Sequence, residues 1–223
     1  MMINAIQITK SYKNGDSKLK VLNRISIKID SGEIITIMGQ SGAGKSTLLH
    51  ILGTLDYPDK GKIELNGLNI NNYNKKELSL FRNQEIGFVF QSHHLIPELT
   101  VFENILVPSW IYGRGNESIK YAEFLLEFVG LIDKKKLYPV QLSGGERSRI
   151  SILRAIINRP SVILADEPTG NLDIHNSRLL IELFIKINKD FNQSILISTH
   201  DYDVAKIGDK KFILDNGHLK KRE

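Results

Sequence analysis

The run Gly39-Gln40-Ser41-Gly42-Ala43-Gly44-Lys45-Ser46-Thr47 places glycines where side chains would otherwise block an approaching phosphate. Successive backbone N–H groups can then converge on that anion. Lys45 has the reach to set a point charge against β- and γ-phosphate oxygens, and the Ser46 hydroxyl is a hard oxygen ligand for Mg²⁺. A second chemical element is Val162-Ile163-Leu164-Ala165-Asp166-Glu167-Pro168, an apolar run that delivers two acids at its end. Asp166 suits a contact to Mg²⁺ or its waters, while Glu167, aimed differently, can orient and deprotonate an attacking water. Two acids closing a strand serve equally well as capping or surface residues. The phosphate loop upstream is what turns this pair toward nucleoside triphosphate chemistry.

A third element, Leu142-Ser143-Gly144-Gly145-Glu146, reads as a helix start with Ser143 as N-cap and Glu146 completing a capping box. Ile150, Leu153 and Ile157 give that helix a buried face. Capping does not require two glycines, each of which costs a helix up to about 1 kcal/mol, so bare backbone here predicts the close approach of another phosphate. One chain already has its phosphate cradle. This second anion-binding helix start most simply serves a nucleotide held by another copy.

The elements that must position these residues follow from the apolar pattern. Strands are predicted at Ile6–Thr9, Ile25–Ile29, Ile34–Met38, Ile63–Leu65, Ile86–Phe90, Val162–Ala165, Ile195–Ser198 and Phe212–Leu214, with helical periodicity between the central ones, the pattern of an α/β sheet. Ile34–Met38 leads into the phosphate loop, and Leu48, Leu49, Ile51, Leu52 and Leu55 then share one helical face. The helix N-terminus, with its partial positive charge, therefore points at the phosphates. The part through about Asn66 is richer in strands. Between Phe90 and Pro160 no strand is predicted, and helices are expected at Val101–Tyr112, Ile119–Val129 and Glu146–Asn158, with Gly113-Arg114-Gly115-Asn116 as a joining loop. We read residues 92–160 as a helical insertion in a core made of residues 1–91 and 161–223.

Composition is that of an ordinary soluble protein: 41% hydrophobic and 25% charged residues over 223 positions. No apolar segment approaches the ~18 residues a membrane span needs, and Met1-Met2-Ile3-Asn4 lacks a secretory apolar region. The expectation is a cytosolic chain that meets a membrane only through a partner. Zero cysteines exclude disulfides, thiolate metal sites and thiol catalysis. The net charge of +5 gathers in Lys134-Lys135-Lys136, Lys210-Lys211 and Lys220-Lys221-Arg222. These are expected to be solvated faces, with anionic lipid the next target; no aromatics interleave with them, which argues against nucleic acid. His93-His94 invites a metal reading, but adjacent loop residues rarely aim at one ion.

The chain resembles an ATP-binding-cassette ATPase subunit over essentially its whole length. The phosphate loop, Gln91 after a strand, Leu142–Glu146, Asp166-Glu167, Asn171-Leu172-Asp173 and His200 after a strand stand in that family's order. The resemblance implies a P-loop NTPase fold with a RecA-like mixed-sheet core, an antiparallel N-terminal β part and a helical subdomain. It also implies ATP and Mg²⁺ as ligands and a head-to-tail homodimer. Ser143, Gly144 and Gly145 of one protomer then complete the site on the other, and Asp173 bridges protomers. Gly39, Ser41, Gly42, Ala43, Gly44, Lys45, Ser46 and Thr47 hold the phosphates, and Tyr12 offers its ring to adenine. Gln91 joins Ser46 and Asp166 at Mg²⁺ and relays its state to a partner; Glu167 is the base and His200 meets the γ-phosphate. Two departures stand out: Glu146 where many members carry glutamine, and Ser148 where a glutamine is common.

A narrower similarity, carried by Ile86–Asn104, Leu55-Asp56-Tyr57-Pro58 and Thr169–Asp173, is to the ATPase subunit of bacterial lipoprotein-releasing (Lol) complexes. It implies integral permease subunits of the LolC/LolE kind as partners, and a peripheral position on the cytoplasmic face of the inner membrane. Macrolide-exporter ATPases share much of this framework, and cell-division ATPases, which signal rather than transport, share less. Leu95, Ile96, Phe102, Trp110 and Tyr112 are read first as helical core, with a subset forming the groove for a membrane partner's helix.

Overall fold

The structure, a computed structural model, describes residues 2–15 and 17–222. An antiparallel hairpin of β1 (Ile3–Asn14) and β2 (Ser17–Ile29) opens the chain, pairing Ile3 with Ile29 and Lys13 with Lys18. Ile25, Ile27 and Ile29 are buried while Ser26 and Lys28 face out, the period of two that a half-buried strand imposes. After β3 (Ile34–Met38), β4 (Lys60–Leu65) adds to the free side of β1, and β5 (Leu68–Asn69) to β4, giving the order β2-β1-β4-β5. Asn66 and Gly67 turn the last hairpin with φ of 49° and 77°, the left-handed pair that tight hairpins favour.

The second sheet has six strands in the order β10-β9-β3-β8-β7-β6. β6 (Ile86–Phe90), β7 (Val162–Asp166), β8 (Ser194–Thr199) and β9 (Lys210–Asp215) run parallel with β3, and β10 (His218–Arg222) closes the edge antiparallel. β8 is buried at every residue and β7 at all but its last, as expected of parallel strands covered on both faces. Neighbouring residues of β7 serve opposite cores. Ile163 and Ala165 pack toward the helical side, while Val162 and Leu164 pack toward the antiparallel sheet.

Helix α1 (Lys45–Leu52) follows β3 and buries Leu48, Leu49, Ile51 and Leu52 beneath the first sheet. α2 (Lys75–Glu85) precedes β6; α3 (Val101–Tyr112), α4 (Gly115–Phe128) and α5 (Gly144–Ile156) fall between β6 and β7. α6 (Ile174–Phe191) and the short α7 (Tyr202–Lys206) follow β7 and β8. Residues of α3 to α6 form one continuous core against the sheet.

Several expectations need correction. The joining loop at 113–116 is shorter than read, because α4 begins at Gly115. α5 likewise begins at Gly144 and ends at Ile156, earlier than the apolar periodicity placed it. Pairing with neighbours extends β1 and β2 far into charged sequence that apolar patterning leaves unmarked. The lysine clusters are only partly solvated faces: Lys135 pairs with Glu123 at 2.9 Å, Lys134 with Glu146, and Lys210 with Glu33 at 2.6 Å.

Gly87 lets α5 approach β6. A Cβ at this position would lie 2.5 Å from the Ala155 carbonyl oxygen and 3.1 Å from its carbon, and backbone cannot swing aside. Gly87→Ala is therefore expected to destabilise the chain by about 1–3 kcal/mol through overpacking, read as a lower urea midpoint at unchanged m-value.

Candidate active site

Parallel pairing sets the ends of four strands at one level. Met38 lies opposite Thr199, Ser198 opposite Asp166, and Asp166 opposite Phe90. The residues that follow, Gly39, His200, Glu167 and Gln91, therefore emerge at one edge of the sheet, where open α/β sheets bind ligands. A cleft of about 680 Å³ lies there, lined by the phosphate loop from Gln40, with Gln91, Glu167 and His200, and reached by Tyr12. Gly44 caps α1 with φ of 101°, a left-handed conformation that residues with a Cβ rarely adopt.

Lys45 is almost fully buried. Its Nζ donates to the carbonyl oxygens of Gly39 (2.8 Å) and Gln40 (3.2 Å) and lies 3.1 Å from Glu167 Oε1. The other Glu167 oxygen accepts from the His200 backbone N–H at 3.2 Å and lies 2.8 Å from Nδ1. A carboxylate accepts only, so Nδ1 carries the proton. Glu167 has φ of 46°, a strain for a non-glycine residue that persists where the surroundings over-determine it. Here its N–H donates to Ser198 O and its carbonyl accepts from Gly170 N, both at 3.0 Å. Asp166, one residue earlier, accepts a hydrogen bond from the Ser198 hydroxyl. Gln91 and Asn171 exchange amide contacts: Gln91 Nε2 donates to Asn171 Oδ1 and Asn171 Nδ2 to Gln91 O, each at 3.2 Å.

Tyr12 is held from behind by Asp56. The phenol donates to Asp56 Oδ2 at 2.9 Å, while Lys10 Nζ donates to Oδ1 at 2.7 Å and sits 5.2 Å from the Tyr12 ring centre. Burial raises the Asp56 carboxyl, but the bonds from Lys10, Tyr12 and the Tyr57 N–H outweigh it, and the net shift is downward. Burial first, and Asp56 second, raise the Tyr12 phenol. The anchor is accordingly present above the ordinary carboxylate range and is lost as pH falls through the lowered Asp56 value.

Ser143, Gly144 and Gly145 do not line this cleft. Ser143 and Glu146 form the expected capping box, and the Lys134 ammonium, with the Ser143 bonds, holds the Glu146 carboxyl below its usual range. That pairing gives the departure from glutamine at 146 a structural use. At Gly145 packing supplies a second reason for glycine beside the predicted phosphate approach: a Cβ there would lie 2.1 Å from Asn176 Oδ1 and 3.1 Å from Asn176 Cβ on α6, so the Asn176 side chain would have to move. At Gly144 the nearest neighbour is Leu172 Cδ2 at 3.7 Å, and packing makes no such demand. Asp173 N-caps α6 through the Asn176 N–H at 2.9 Å and also accepts from the Asn176 amide. The histidines diverge: His93 meets α5, and His94 meets the Phe90 ring edge-on at 5.3 Å. Among the described residues no three His, Cys, Asp or Glu side chains converge as metal ligands. Ser46, Gln91 and Asp166 offer oxygen donors, which suit Mg²⁺ rather than a transition metal.

Sequence reasoning missed Asp56 as the Tyr12 anchor, Ser198 as the Asp166 donor and Asn176 as the neighbour of Gly145. Asp56 and Asn171 lay inside runs already singled out, but neither run indicated the contact its residue makes.

The chain matches the ABC transporter family over residues 22–170. It is 46% identical over 219 residues to the lipoprotein-releasing system ATP-binding protein LolD of Bacteroides fragilis, covering 98% of this chain and 100% of that protein. The protein of the same name from Bdellovibrio bacteriovorus is 44% identical over 219 residues, with 96% and 98% covered. Among solved structures it is similar to the ATP-binding cassette MJ0796, a dimer in a post-hydrolysis state bound to ADP and Pi. The TM-score is 0.89 at 36% identity, with all of both chains covered.

Asp56→Ala removes the acceptor of the Tyr12 hydroxyl and leaves its bond with Thr47 in place. Nucleotide binding is expected to weaken about fivefold, the worth of one hydrogen bond of about 1 kcal/mol, with kcat unchanged. Titration with a fluorescent ATP analogue checks this; unaltered affinity would mean that Asp56 does not govern the ring.

Proposed function

The chain belongs to the ABC transporter family and is an ATPase of that family, and we propose that it drives lipoprotein release from a bacterial inner membrane. The observation that carries this reading is its near-full-length identity to relatives named for that system. On this reading the chain is the peripheral ATP-binding subunit of a complex with integral permease subunits. No helix of the described residues is long and apolar enough to cross a membrane, which supports contact through those partners. A groove of about 350 Å³, lined by Leu55, Phe88, Phe90, Pro108, Ile111 and Arg154 among others, suits a partner's cytoplasmic segment. This groove does not draw on Trp110 or Tyr112.

ATP lies with its adenine against Tyr12 and its phosphates along Gly39–Thr47, with Lys45 at the β- and γ-phosphates. Ser46, Gln91 and Asp166 would hold Mg²⁺, which would supply positive charge against the transferred phosphoryl group. Both Glu167 carboxylate oxygens are engaged before nucleotide arrives, one by the Lys45 ammonium and one by His200. Phosphate oxygens compete for Lys45, and Glu167 can then take a proton from the attacking water. His200, steered by Glu167, meets the γ-phosphate. Ser143, Gly144 and Gly145 of a second copy close the open side, and Asp173 lies at the same interface. Closure is bistable because γ-phosphate contacts exist only before cleavage.

Glu167→Gln keeps the size of the side chain and removes the base. Turnover is expected to fall by about 10²–10⁴-fold while ATP-driven dimerisation persists, measured by phosphate release and light scattering; wild-type turnover in a contaminant-free preparation refutes the assignment. Depletion in cells is expected to leave outer-membrane lipoproteins in the inner membrane, read by fractionation. Filamentous cells with normal lipoprotein sorting would instead favour a signalling role in division.

A further inference from the structure

The chain leaves Gln91 as Ser92-His93-His94, and neither histidine lines the nucleotide cleft. His93 Nε2 lies 3.1 Å from the Gly144 carbonyl oxygen and 3.1 Å from Ser148 Oγ, which itself donates to Gly144 O at 3.1 Å. Farther along α5, Arg154 donates to the carbonyl oxygens of His93 at 2.7 Å and His94 at 2.6 Å. His94 has φ of 48°, a left-handed conformation that a non-glycine residue keeps only when its surroundings impose it. The loop is thus fastened to one helix at two separated points. A single bond would be a pivot; two on a rigid rod fix orientation as well as distance.

We propose that His93 is a positioning residue that straps the loop after Gln91 to the first turn of α5, so that a displacement of Gln91 carries Ser143 and Gly145 with it. A carbonyl only accepts, so His93 Nε2 must carry the proton that reaches Gly144. The small Ser148 side chain leaves room for the imidazole at a position where a glutamine is common in the family. The inference rests on the reading that Ser143 and Gly145 complete a second copy's site.

Two measurements test it. Long-range ¹H–¹⁵N correlation on the histidine-labelled full chain is expected to show His93 as the Nε2–H tautomer or the imidazolium; a neutral Nδ1–H ring overturns the strap. In the assembled complex, His93→Ala is expected to lower kcat about fivefold to tenfold at saturating ATP, as loss of one or two hydrogen bonds implies. Nucleotide affinity should stay within about twofold. Ser148→Ala is expected to fall in the same direction, and the double variant to be no worse than His93→Ala, the non-additivity of a shared contact. His93→Gln, which keeps an N–H donor, is expected to recover most of kcat. Wild-type kcat in His93→Ala, or an equal loss of nucleotide affinity, overturns the proposal. Should His93→Ala fail to fold, His93→Phe, which keeps a ring and removes the donor, carries the kinetic test, and wild-type kcat there is equally decisive. Ser143→Arg separates the two readings. If it leaves turnover intact, the composite site fails; if it abolishes turnover while His93→Ala does not change it, the strap alone fails.

Discussion

The site depends on the in-register parallel pairing of β3, β8, β7 and β6. A shift of one residue in any of these strands would move its last residue off the common level and turn alternate side chains to the opposite core. The strands resist that shift because both faces are buried: Ile163 and Ala165 belong to one core, Val162 and Leu164 to the other. No slipped register of β7 would leave both cores as well packed. Gly39, Gln91, Glu167 and His200 inherit their juxtaposition from apolar packing that touches no ligand.

At the level where the strands end, packing gives way to electrostatics. Lys45 is buried at 7% exposure, a cost that needs partners, and it finds two carbonyl oxygens and Glu167. Lys45 holds the Glu167 side chain, while Ser198 and Gly170 hold its left-handed backbone. Strain and ion pairing therefore meet in one residue, and an anion that draws on Lys45 frees the carboxylate without touching the backbone bonds. Tyr12 is anchored through Asp56 and Lys10 and also bonds the Thr47 side chain, so the group that faces the base and the phosphate loop meet at Thr47.

What the sequence disclosed follows the same division. The fully buried strands and the phosphate loop were legible because each is a local pattern: an unbroken apolar run, or glycines at fixed spacing. α2 buries only Leu78 and β10 is His-Leu-Lys-Lys-Arg, so neither carries an apolar period, and both take their structure from neighbours. The Tyr12–Asp56 anchor and the Ser198–Asp166 bond join residues far apart in the chain, and no spacing encodes them. Gly145 shows the subtler difficulty. Its type was visible, but the Asn176 side chain, a second reason for glycine there, is brought close only by the folded chain.

α5 joins the loop after Gln91, the apolar groove and the second anion-binding helix start. Its first turn presents Ser143 and Gly144 away from the cleft of its own chain, its flank holds His93, and Arg154 both grips the loop after Gln91 and lines the groove beside Phe88 and Phe90. Packing through Gly87 binds it closely to β6, the strand that ends at Phe90 and leads into Gln91. A rigid helix tied to a nucleotide-facing loop, an apolar groove and a helix start with bare backbone can move only if all three move together. If Gln91 senses the nucleotide and the groove receives a membrane partner, the free energy of phosphate binding reaches that partner through one packed element, with no need for a longer relay across the sheet.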